Sequence, residues 1–201
     1  INTLYISRIV TVSNHEGKKL LRSDNKQNSD KRYLYLKRIT AIVTAIRFLP
    51  LLYNEGLQFA NLLTRLVNEH PLPNLVKARI HRTGLLILMK QFELDPALYE
   101  LKDKIKDRFI SAFEAYQSMM KSYGISQDTQ TYTVAGPEFA RFILDSHLFF
   151  KNKLNSKLPN KTTKSYLRLA LNIMKRFKRK ERDILIIDQI KRELESEKEA
   201  A

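Results

Sequence analysis

Read from its N-terminus, the chain alternates apolar and polar positions mostly with the period of a helix. Residues Ile1 to Val12 suit either a helical face (Ile1, Leu4, Tyr5, Ile9, Val12) or, by their Ile, Val and Thr content, a strand; the spacing favours the helix. Residues 13–31 are polar, with Gly17 and several Asn, Asp and Ser, and read as a flexible loop or insertion. From Arg32 to Leu49 the positions Tyr33, Leu36, Ile39, Val43 and Ile46 return every three or four residues, with Asp30 as a candidate cap and Pro50 as a stop. A second helix is expected over Leu57 to Glu69, followed by a connector stiffened by Pro71 and Pro73. A third is expected over Leu75 to Phe92. Its run Leu85 to Met89 is apolar on every side, which is what a helix with neighbours all round requires.

Asp95-Pro96 has the chemistry of a helix start: an Asp side chain to accept from the first free amides, then a Pro whose missing N–H costs nothing there. The spacing predicts a helix from there to Tyr123, with Leu98, Leu101, Ile105, Phe109, Phe113, Tyr116 and Met120 inward, and Gly124 ending it. Residues 125–135 read as a polar loop, and Gly136-Pro137 as the start of a helix through Phe139, Phe142, Ile143, His147 and Phe150 to about Leu154. After a connector over 155–160, the segment Lys161 to Arg182 is expected to be amphipathic. At roughly 100° per residue, Tyr166, Leu167, Ala170, Leu171, Ile173, Met174 and Phe177 share one face, and Lys164, Arg168, Lys175 and Arg179 share the other. A last helix, new or continuous, has a seam of Ile184, Ile187, Ile190 or Lys191, and Leu194, and an acidic tail over 195–201 expected to fray.

Charge sharpens this picture. The 201 residues carry 36 Lys and Arg against 21 Asp and Glu, a net +15, and the excess is concentrated: 151–182 hold 12 basic residues and one acidic one, whereas 183–201 hold three and six. Such a density of like charge opposes folding slightly and asks for a counter-charge. Four uses of the basic side stay open: a solvated face, nucleic-acid phosphate, an acidic protein segment, or an anionic membrane surface. The tail from Glu193 to Glu199 is an intramolecular candidate. The cluster Lys175, Arg176, Lys178, Arg179, Lys180 also has the composition of a nuclear-localisation signal.

The remaining composition excludes more than it adds. Without cysteine there are no disulfides, thiolate metal sites or thiol nucleophiles. His15, His70, His81 and His147 are scattered, and none lies in a paired zinc-binding motif; His147 reads as a satisfied interface histidine. The five glycines never approach one another as a phosphate loop needs, and no serine has the surroundings of a nucleophile elbow. Arg32 to Arg38 interleaves aromatic and basic residues, but on a helix Tyr33 and Leu36 are needed inward, leaving Tyr35 alone to stack. The most apolar stretch, Ile39 to Leu52, is broken by Arg47 and Pro50 and is too short to span a bilayer. The chain opens on Ile1 rather than Met, which reads as a fragment of a larger protein.

Together these observations predict a single all-α domain of six to eight helices, an irregular helical bundle or a short armadillo/HEAT-like superhelical stack, built around 75–92 and 96–123. They predict a non-enzymatic interaction module, a scaffold or adaptor without cofactor or metal. It would meet an acidic protein segment or other subunits of a complex through Lys164, Arg168, Lys175, Arg176, Arg179 and Lys180. The competing expectation is a nucleic-acid-binding domain that holds RNA or DNA phosphates through the same helix. The expected location is intracellular, cytoplasmic or nuclear, with no membrane span.

Overall fold

A computed structural model of the 201-residue chain describes residues 61, 65, 74–126, 129–177 and 181–199. Every regular element among them is helical: α1 (Asn74–Leu94), α2 (Glu100–Ser126), α3 (Thr129–Asn152), α4 (Thr163–Phe177) and α5 (Glu181–Glu199). Asn61 and Arg65 are helical as well. The elements expected over 1–12, 32–49 and most of 57–69, the loop over 13–31 and the basic-aromatic segment 32–38 lie outside the described residues. The chain divides into two compact units, Ile1–Arg108 and Phe109–Ala201, with the boundary inside α2.

In the first unit α1 is buried round most of its circumference, as the unbroken run of apolar side chains requires: Ala78, Ile80, Leu85, Ile87, Leu88, Met89 and Phe92 are all inside. Gly84 serves close approach. A Cβ there would stand 3.4 Å from the side chain of Arg108, so the absence of one lets the arginine stem lie along α1. The Arg108 guanidinium donates from Nη2 to Asn61 Oδ1 at 3.1 Å.

Asp95-Pro96 starts a turn and not a helix. Asp95 Oδ1 accepts from the Ala97 amide at 3.1 Å and its carbonyl from Leu98, so the cap is spent on a local Asx turn and α2 begins at Glu100. Leu98, expected inward, is consequently 39% exposed. The Lys102 ammonium lies over the rings of Tyr99 (5.0 Å) and Phe92 (5.8 Å), which ties the turn to the end of α1. Glu100 and Lys104, four residues apart on α2, pair at 3.9 Å while well exposed, and the pair contributes little. Gly124 does not end α2, which continues to Ser126.

The second unit is built on rings. Phe109 of α2 lies 5.9 Å from Phe113, 5.4 Å from Phe142 and 5.8 Å from Phe150 of α3, and 5.6 Å from Tyr166 of α4. Two turns further on, Tyr116 stacks on Phe139 at 5.0 Å and donates its hydroxyl to Glu138 Oε1 at 2.6 Å. Three helices therefore meet through aromatic side chains, which keep their backbones apart while filling the space between them.

Residues 129–135, expected as loop, belong to α3, and Pro137 sits inside that helix. Proline ends helices mainly by removing a hydrogen bond and by crowding the residue before it. Here the preceding residue is Gly136, which has no Cβ to crowd. The helix therefore runs through, at the cost of one unmade bond to the Thr133 carbonyl. Gly136 is also a contact point: a Cβ there would stand 2.8 Å from the Phe177 ring and 3.4 Å from Ile173.

Asn155 and Asn160, both with positive φ (48° and 68°), turn the chain between α3 and α4. Thr162 then caps α4, its Oγ1 accepting from the Ser165 amide at 3.3 Å, and Tyr166 donates its hydroxyl back to the Pro159 carbonyl at 2.6 Å. Because the end of α4 meets the early part of α3 at Gly136, the two run antiparallel. The principal helix pairings of this unit include α3 with α4 and α4 with α5.

Candidate functional site

The basic segment is two helices. The expected amphipathic element over 161–182 stops at Phe177, and Glu181 and Arg182 belong to α5. Within α4 the division of faces follows the sequence pattern: Tyr166, Leu167, Ala170, Ile173 and Met174 are buried, and Leu171 and Phe177 are half-buried. Arg168, Lys175 and Arg176 are exposed together with Asn172, and Lys164 is half-buried at the same side. Arg168 and Lys175 stand two turns apart on one stripe, about 10 Å along the axis. Arg179 and Lys180 lie outside the described residues.

α4 has no acidic residue. Among the described residues, the ion pairs of this unit include those from Lys151 and His147 to Glu193 and from Lys191 to Asp188, and none reaches Lys164, Arg168, Lys175 or Arg176. Lys161, just before the helix, is used internally, its ammonium 5.4 Å from the Phe113 ring centre.

The acidic tail does not fold onto this face. α5 stays helical to Glu199, and its Glu193 turns to α3 instead. Glu193 Oε2 accepts from Lys151 Nζ at 2.8 Å and from His147 Nε2 at 3.0 Å, while Lys151 Nζ reaches Ser196 Oγ at 3.4 Å. His147 is 3% exposed, so its ring is committed to this contact. With the last turns of α3 and α5 joined in this way, α5 runs antiparallel to α4. Sequence reasoning reached the interface character of His147 but not its partner, because 46 residues separate the two.

Burial alone would raise the Glu193 carboxyl above its ordinary 4.5, but the hydrogen bonds and charges of Lys151 and His147 outweigh it and hold the group below that value. A carboxyl lowered in the folded state contributes stability that is full above its unfolded pKa and is lost as pH falls through the folded one. Glu193→Gln is expected to destabilise this unit by about 1–3 kcal/mol at neutral pH. It should also flatten the decline in stability below pH 4.5, both read from urea unfolding at a series of pH values.

Sequence reasoning also missed the apolar exposure beside the basic helix. Ile184, expected in the buried seam, is 41% exposed, and Leu185 is 69% exposed. The seam of α5 is carried by Ile187 and Ile190, both buried, with Asp183 buried near its N-terminus. Among the described residues no group of three or more His, Asp or Glu is placed to hold a metal ion, and no helix is long and apolar enough to cross a membrane. The chain matches no family model, no curated protein and no solved structure.

Proposed function

We propose that the chain is a non-enzymatic helical interaction module, a scaffold or adaptor, which engages an acidic protein segment through the basic face of α4. The observation that carries this reading is that Lys164, Arg168, Lys175 and Arg176 share one side of a helix and have no described carboxylate to meet, while the nearest acidic helix spends Glu193 elsewhere. Unpaired like charges repel one another, and an incoming row of carboxylates relieves that repulsion. We read α3 to α5 as an irregular bundle rather than a superhelical stack, because Glu193 ties α5 back to α3 and closes the sequence of neighbours on itself.

The test is a fourfold charge reversal, Lys164→Glu, Arg168→Glu, Lys175→Glu and Arg176→Glu, assayed against a poly-glutamate peptide and a DNA duplex at low and moderate salt. Wild type is expected to bind the peptide, and the variant to lose binding by at least about tenfold, with far-UV circular dichroism unchanged because the replaced residues lie on the outer side of α4. Binding of the duplex with a steep salt dependence and no binding of the peptide would replace this reading with the nucleic-acid one.

A further inference from the structure

Resting on that reading, we infer that the acidic partner is an amphipathic helix whose aliphatic stripe seats on Leu171, Ile184 and Leu185 while its carboxylates meet Arg168 and Lys175. Arg168, Leu171 and Lys175 of α4 and Ile184 of α5 lie on the sides turned away from α3, and Leu185 follows Ile184 as the more exposed of the two. Ile173 marks the side of α4 that faces α3, through its contact at Gly136, and Leu171 and Lys175 each lie two residues away, about 160° round the helix. Glu193 marks the side of α5 that faces α3, and Ile184 lies nine residues back, about 180° away. Both helices thus turn these residues away from α3. α4 and α5 pack on each other and only 178–180 separate Phe177 from Glu181, so the last turn of α4 and the first turns of α5 are neighbours.

The occupant is set by what the surface offers. In this unit the exposed large apolar side chains among the described residues are the aliphatic pair Ile184 and Leu185, with no aromatic ring for a base to stack on. The charge is also divided: α4 is basic and without acid, whereas α5 is rich in Asp and Glu. A polyphosphate lying across both helices would meet repulsion from α5. A helix with one acidic flank and one aliphatic stripe matches both halves, as in other helix-in-groove recognition.

The experiment uses two synthetic peptides of identical composition, one with Leu at every third or fourth position and Glu on one flank, the other scrambled so that no stripe forms. Binding to the full chain is measured by fluorescence anisotropy. The striped peptide is expected to bind about tenfold tighter than the scrambled one, and the Ile184→Ser, Leu185→Ser double variant to erase that difference while still binding both weakly. Leu185→Ser alone, at a site too exposed to matter for folding, should remove part of the difference and guards against a folding defect in the double variant. Equal binding of the two peptides, with sensitivity to charge reversal on α4, overturns the amphipathic helix and leaves the acidic-partner reading standing. No binding of either peptide at low salt, or capture of a DNA duplex in their place, overturns both.

Discussion

Phe109→Ala is expected to destabilise the second unit by about 3–5 kcal/mol, the largest loss at any single position in it. Phe109 is fully buried, and its ring meets Phe142 and Phe150 of α3, Tyr166 of α4, and Phe113 on its own helix. Truncation removes a side chain that touches two rings of α3 and one of α4 at once, and the surrounding rings are too large and too constrained by one another to collapse into the space. Phe109→Leu retains most of the volume and should lose distinctly less. Urea denaturation of the full chain, followed by far-UV circular dichroism, measures both. A loss below about 1 kcal/mol for the alanine variant would show that the cluster is not the centre of this unit's stability.

Acid should weaken the first unit well before it weakens the second. The His81 imidazole is lowered from its ordinary 6.5 to about 4, first by burial and then by the charges of Arg108 and Lys77; its Nδ1 is enclosed without a hydrogen-bond partner. The folded chain therefore keeps this ring neutral at pH values where the unfolded chain has protonated it. Stability is complete above pH 6.5, falls as pH drops from 6.5 towards about 4, and levels off below, where both states carry the proton. The full effect is on the order of 3 kcal/mol. Amide exchange along α1, recorded at intervals across that window, should accelerate as pH falls after correction for the intrinsic rate. In His81→Leu the corrected profile should be flat. If wild type and variant share one profile, the imidazole does not set the acid sensitivity of this unit.

Apolar periodicity made legible most of what the described residues show. α1 and the buried stripe of α4 follow directly from it, because burial on a helix repeats at the helix's own period and leaves a mark in local spacing. The misreadings share a different physics. Asp95-Pro96 and Gly136-Pro137 are both sound as helix starts, yet the first caps a turn and the second lies inside a helix. In the first, the Asp95 carboxylate accepts from the Ala97 amide and closes a local turn, a choice the dipeptide leaves open; in the second, the bare backbone of Gly136 admits both the proline after it and the Phe177 ring from α4. Of the candidate site, the stripe of Lys164, Arg168, Lys175 and Arg176 was visible in the sequence. Its apolar neighbours Ile184 and Leu185 were not, because a run of four aliphatic residues from Ile184 to Ile187 looks alike from every side until packing selects which of them go in.

The ring cluster has an optical consequence. The chain contains no tryptophan, so its near-ultraviolet absorption rests on tyrosine and phenylalanine, and a chromophore gives strong circular dichroism there only when held in a fixed asymmetric setting. Tyr116 and Tyr166 meet that condition, each buried, packed edge or face against phenylalanine, and fixed at the hydroxyl by Glu138 or the Pro159 carbonyl. The second unit thereby carries a built-in spectroscopic reporter of its own packing, and loss of its tertiary order can be followed without a label while the helices themselves persist.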